Sequence, residues 1–174
     1  YNNKILSPQE REEFRIRSEE AIEVFAESID GFCELYQEYK PSQNKSHDEI
    51  TKTVLDVGIF TCYTYCDCTV LLKHFVLSTD LYEKRLFRGK LKVLLNEGFK
   101  SLYGFNDKQR KRSYYIKLGE IMNYFPGFQL EYDSILMKLK QLSEQSTWWK
   151  DERNTEVHLD MSQYSPSTFL LVKI

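Results

Sequence analysis

Ser46-His47-Asp48-Glu49-Ile50-Thr51-Lys52-Thr53-Val54-Leu55-Asp56-Val57-Gly58-Ile59-Phe60, continued without a break by Thr61-Cys62-Tyr63-Thr64-Tyr65-Cys66-Asp67-Cys68 and on to Leu77, is the stretch on which the fold class turns. Its Thr, Val and Ile are β-branched and would suit a strand. Its length decides for helix, because strands run to 4–8 residues and helices exceed about 10. Ser46 with Glu49 reads as a capping box at the helix start. From Val54 to Leu77 the stretch is apolar nearly all round, the pattern of a central, buried helix.

Outward from it, helical signals recur on both sides. Ser7-Pro8-Gln9-Glu10 combines a cap, a first-turn Pro and a capping-box Glu. Ile16, Ile22, Phe25, Ala26, Ile29, Phe32, Cys33 and Tyr36 follow at three- and four-residue steps, which predicts a helix over 8–39. Pro41 marks a polar turn. Ser78-Thr79-Asp80 caps a helix from Leu81 to Tyr103, ended by Gly104. Asn106-Asp107 opens another, expected to reach Tyr124 before Pro126-Gly127. Leu130 to Ser143 carries the stripe Tyr132, Ile135, Leu136, Leu139 and Leu142. Ser146-Thr147 then caps a helix expected from Trp148 to Leu159, and residues 161–174 form an apolar tail. The prediction is a single all-α domain, an up-and-down bundle of five to six helices.

With 174 residues the chain can bury a core without metals or disulfides. Seven Gly and four Pro are too few for an all-β fold built on tight turns. Cys33, Cys62, Cys66 and Cys68 do not read as a disulfide framework, and no signal peptide opens the sequence, so a reduced, cytoplasmic protein is expected. The uncharged run Val57–Cys66 is far short of the roughly 20 residues a bilayer requires, so no membrane partner is expected. Net charge is −2, but residues 1–40 hold ten acidic groups against five basic, and residues 84–117 hold eleven basic against two acidic. That asymmetry fits an anionic partner, or self-association between unlike faces.

Three features carry potential chemistry. Lys108, Arg110, Lys111 and Arg112, followed by Tyr114 and Tyr115, combine phosphate-binding cations with rings that could stack a base. A solvated helix face is the competing reading. Cys62, Cys66 and His74 lack the ligand set and spacing of a zinc site, so no metal or other cofactor is expected. Asp67, a carboxylate in apolar sequence, would need a partner if buried. The third feature is Trp148-Trp149-Lys150-Asp151-Glu152-Arg153-Asn154-Thr155-Glu156-Val157-His158. Arg forks onto phosphate and His exchanges protons near neutral pH. Five residues put Arg153 and His158 about 140° apart on an ideal helix, so they converge only if the helix frays or two copies meet. The competing reading pairs Arg153 with Glu152 or Glu156 at the surface and lets His158 cap a helix end.

Arg153-Asn154-Thr155-Glu156-Val157-His158 resembles the signature of the HEPN superfamily, an Arg, often with a polar residue next, then a His four to six positions on, in the last helix of an all-α bundle. The resemblance spans residues 46–160, with the hexapeptide as its diagnostic part. It implies a metal-independent endoribonuclease acting as a homodimer, with two motifs facing each other across a basic cleft. Arg153 would hold the scissile phosphate, His158 would move protons as the ribose 2′-OH attacks, and Asn154 would orient them. Apart from the resemblance, Asp67 could pair with Arg153 or with the backbone and so orient the motif Arg, and Glu156 would be a second supporting residue. A neutralising protein partner is a further expectation for such an enzyme. Other members are silent modules that bind nucleotide or a partner protein.

Overall fold

The structure is a computed structural model that describes residues 6–40 and 45–145. It is all-α, with no strand among the described residues. Its helices are α1 (Pro8–Glu38), α2 (Lys45–Leu77), α3 (Leu81–Leu102), α4 (Asp107–Arg110), α5 (Tyr114–Glu120) and α6 (Gln129–Gln145).

Local chemistry accounts for most ends. At α1 both halves of the capping box form: the Glu10 amide donates to Ser7 Oγ at 3.2 Å and the Ser7 amide to Glu10 Oε2 at 2.8 Å. Asp80 caps α3 by accepting from the amides of Tyr82 and Glu83 at 2.8 and 2.9 Å. Gly104 closes α3 with φ 84°, and its amide turns back to the Phe99 carbonyl at 3.0 Å. A Cβ there would lie 2.7 Å from the Arg110 amide nitrogen, so this turn needs glycine for both conformation and room. At α2 the sequence reading, with Ser46 as the cap, starts the helix at least two residues late. The helix already includes Lys45, so Ser46 sits in its first turn.

The largest element is the α1–α2 hairpin. Five contacts run along it in steady antiparallel register. Tyr39 donates to Asp48, Phe32 lies against Gly58, Phe25 packs on Tyr65 at 4.4 Å, Glu19 pairs with Lys73 at 3.7 Å, and Arg11 donates to the Leu77 carbonyl. A Cβ at Gly58 would sit 2.5 Å from Phe32 Cζ, so the absent side chain lets the ring close on α2. α3 returns along the far side of α2, where Phe87 stacks on His74 at 4.9 Å and Gly98 approaches Thr64.

α2 is central, as its sequence implies, but it is not buried. Among its described side chains Leu55 is the one that is buried, and most of its apolar side chains keep part of their surface in water. By length and composition Ser46–Leu77 would be able to cross a membrane, a test that core helices of soluble proteins also pass. The uncharged run Val57–Cys66 understated that length. Among the described residues the tight core lies where α3, α5 and α6 meet. There Tyr103, Tyr115 and Leu139 are buried together with Phe99, Leu102, Leu118, Tyr132 and Leu136 around them. Within the expected stripe of α6, Tyr132, Leu136 and Leu139 pack, whereas Ile135 and Leu142 are exposed.

The helix expected over 106–124 is three pieces. α4 closes after one turn, residues 111–113 break the ladder, α5 follows, and 3-10 turns at Met122–Tyr124 and Pro126–Phe128 lead into α6. The break is held by Ser113, 1% exposed, whose amide and hydroxyl both donate to the Arg110 carbonyl at 3.0 and 2.8 Å. The helix expected over 148–159 and the tail lie outside the described residues.

Candidate nucleic-acid interface

The basic cluster sits on α4 and the turn after it. Asn106 caps α4 by accepting from the Gln109 amide at 3.0 Å, and Gln109 Oε1 accepts from the Phe105 amide at 3.0 Å. These bonds fix the turn that presents Lys108, Lys111 and Arg112, all exposed. Lys117, one turn into α5, is exposed as well.

Arg110 behaves differently. Its guanidinium lies 4.9 Å from the centre of the Tyr103 ring and pairs with Asp107 at 3.3 Å. Its Nε is buried without a hydrogen-bond partner. Cation–π attraction and packing hold it as part of the α3–α4 junction. The four cations expected to act together therefore divide into three that face water and one that is half-buried at the α3–α4 junction.

The two tyrosines are also separated from them. Tyr115 is 6% exposed, stacked on Tyr132 with 4.7 Å between ring centres and 5° between planes. Its hydroxyl donates to the Tyr132 carbonyl at 2.8 Å, and the Tyr132 hydroxyl donates to the Tyr115 carbonyl at 3.2 Å. Burial, with the Tyr132 and Asp133 charges adding to it, pushes the Tyr115 hydroxyl up to about 12. The ring is committed to a reciprocal clasp between α5 and α6. Tyr114 packs on Phe60 at 4.6 Å with Lys117 Nζ 5.9 Å from its ring centre. What faces solvent at this surface is chiefly charge, and neither tyrosine is open as a stacking platform.

Asp67 is exposed and needs no buried partner. Its charge, secondary to burial, helps raise the Cys68 thiol; Cys62 is raised by burial. Both thiols are therefore poor nucleophiles at neutral pH. No group of three or more metal-capable side chains occurs among the described residues. A shallow depression along Leu130, Glu131, Ser134 and Ile135 of α6 is open to solvent and carries no cation. Arg153, Asn154, Glu156 and His158 lie outside the described residues.

No family model, curated protein or solved structure matches the chain. The site rests on its own residues.

One feature that the sequence reading missed is Asn96. It is 2% exposed, and neither its amide nitrogen nor its oxygen has a hydrogen-bond partner. An Asn between Leu95 and Glu97 carries no local signal of burial; only the tertiary packing reveals it.

Proposed function

We propose that the chain is a HEPN-like RNA-binding protein and a metal-independent endoribonuclease, with Arg153 and His158 from two copies forming one site. The observation that carries the reading is a surface of free-standing cations, Lys108, Lys111 and Arg112, on an all-α protein whose α6 ends eight residues before Arg153. Lys and Arg on such a surface would hold the RNA backbone by phosphate contacts and counterion release.

In this proposal Arg153 grips the phosphate oxygens, as a guanidinium fork does best. His158 takes the proton of the ribose 2′-OH while that oxygen attacks phosphorus. The 5′-oxygen leaves and takes up a proton. The products are a 2′,3′-cyclic phosphate and a 5′-OH, with no change of oxidation state and no water consumed. Asn154 orients the pair, with Glu156 beside it. A neutralising protein partner would act by covering the same cationic surface.

A second reading, a silent module binding nucleic acid, nucleotide or protein, is favoured by the fate of Tyr115. A ring expected to stack a base is used in the core, so recognition here runs through charge, which binds without selecting. End-labelled RNA incubated in EDTA with the wild type and with His158→Ala separates the two. Cyclic-phosphate ends made by the wild type alone support the nuclease. Binding without cleavage by both supports the silent module.

A further inference from the structure

α1 carries ten acidic and three basic side chains, a net −7, and residues 81–120 carry eleven basic and four acidic, a net +7. The first turns of α1 offset their own charge. Arg15 bridges Glu12 and Glu19, and Lys73 of α2 also reaches Glu19. The rest of the helix has no such device. Residues 18–39 contain seven acidic side chains and no Lys, Arg or His.

Five of the seven, Glu23, Glu27, Asp30, Glu34 and Glu38, follow one another at steps of four, three, four and four residues. At about 100° per residue they lie between about 120° and 180° around α1 from Phe32, whose ring faces α2 at Gly58. They form one stripe on the outer side of the helix, about 22 Å long. All five are exposed, and none has an ion-pair partner among the described residues. Like charges at these spacings repel one another along a helix. A solvated helix face relieves that repulsion by interleaving cations, as Arg15 does nearer the start; this stripe has none.

The cations that would relieve it stand on the far side of the molecule. α1 meets α2 at Gly58, whereas α5 meets it at Phe60 and α3 at Thr64 and His74. These three positions lie about 160°, 120° and 160° around α2 from Gly58. The outer side of α1 and the cationic surface on α4 and α5 therefore point away from each other. Lys108, Lys111, Arg112 and Lys117 are exposed there, without an ion-pair partner among the described residues. One copy cannot lay its stripe on its own cations, but two copies can meet in that way.

We propose that the acidic stripe of α1 docks on the cationic α4–α5 surface of a second copy of the chain. The two patches differ and face opposite ways, so the contact is heterologous. It leaves a free stripe at one end and a free cationic surface at the other, and association continues past two copies to a ring or a filament. The carboxylates occupy the surface assigned above to RNA phosphates, so assembly and RNA exclude each other there. The contact itself requires neither RNA nor Arg153 and His158.

Sedimentation velocity of the full chain, without RNA, at about 20 mM and about 500 mM salt tests it, because the lower concentration leaves such charges largely unscreened. At low salt and roughly tens of micromolar protein, the wild type is expected to grow past the dimer as its concentration rises, and high salt should reverse the growth. Glu27→Lys with Glu34→Lys, and separately Lys111→Glu with Arg112→Glu, should each weaken the low-salt association at least about tenfold. All four positions are exposed, so circular dichroism should show the fold unchanged. Mixing the two double variants sets an acidic stripe against a basic surface at one junction and a basic stripe against an acidic surface at the next, and should restore association. A wild type that stops at one or two copies at low salt overturns the inference. So does growth that ignores salt, or that only one of the double variants weakens, because stripe and cations would then not be each other's partners. No RNA is present, so the outcome is independent of whether the chain binds or cleaves RNA.

Discussion

Gly119 offers a sharp test of the clasp between α5 and α6. A Cβ at Gly119 would lie 2.2 Å from Tyr132 Oη and 3.0 Å from its Cζ. Ordinary contacts need about 3.5 Å, so in Gly119→Ala the hydroxyl must move by more than 1 Å. The Tyr132 hydroxyl then loses its 3.2 Å bond to the Tyr115 carbonyl, worth about 1 kcal/mol. Displacing the ring from its 4.7 Å stack forfeits about another 1 kcal/mol, and residual overpacking adds about 1 more. Ala is favoured over Gly within a helix by about 1 kcal/mol, which offsets part of this. The net expectation is a loss of about 2 kcal/mol, or some 4–8 °C in Tm for a chain of this size. In a Tyr132→Phe background the clashing oxygen is gone, and Cζ at 3.0 Å requires only a small ring shift. There Gly119→Ala should cost less than about 0.5 kcal/mol, or stabilise slightly through helix propensity. Urea unfolding of the four proteins of this cycle, followed at 222 nm, measures the coupling. Strict additivity, with Gly119→Ala costing the same in both backgrounds, would refute the geometry on which the argument stands.

Other predictions follow from single contacts. The Tyr115 and Tyr39 hydroxyls are both pushed up to about 12, with burial the largest cause in each case, followed at Tyr39 by the hydrogen bond it donates to Asp48 and at Tyr115 by the Tyr132 and Asp133 charges. Their unfolded counterparts ionise near 10, so the unfolded state loses protons first. The stability these groups contribute is complete below pH 10 and is lost as pH rises from 10 through 12, which thermal melts across that range would show. Gly104→Ala should cost at least about 1–2 kcal/mol, because φ 84° strains any L side chain and the Cβ meets backbone; a chemical-denaturation midpoint reports it. Asn96→Leu should stabilise by about 1–2 kcal/mol, since it removes two buried polar atoms without partners; an unchanged midpoint would mean that they are satisfied in solution. If Lys108, Lys111 and Arg112 each neutralise one RNA phosphate, replacing all three with Gln should lower the slope of log K against log salt by about 2.

Much of the fold is legible before any coordinates. The cap at Ser7, the stop at Gly104 and the lengths of α1, α2, α3 and α6 follow from local chemistry and hydrophobic spacing. The division of 106–124 is not, because nothing in Lys111-Arg112-Ser113 forbids a helix. The break arises when Ser113 is buried and its two donors converge on one carbonyl. The exposure of α2 is equally hidden. A sequence apolar on every side reads as buried, yet the helices packed on α2 leave most of its apolar side chains partly in water. At the basic cluster, charge pattern found the exposed lysines, whereas the fates of Arg110 and Tyr115 depend on Tyr103 and Tyr132, which come from other helices. The Arg153–His158 motif stands on sequence resemblance.

The register of the α1–α2 hairpin also has a kinetic meaning. Reading from its turn, the paired positions are separated by 9 residues at Tyr39–Asp48, then 26, 40, 54 and finally 66 at Arg11–Leu77. Each pair, once made, shortens the loop that the next must close, so the entropy of joining Arg11 to Leu77 is spent in small steps rather than at once. The hairpin, about 46 Å long for the 31 residues of α1, is built to close like a zipper from the turn and to fray from its open end. Amide exchange should follow that gradient in reverse: within α1 the Arg11 end opens first and the Tyr39 end last.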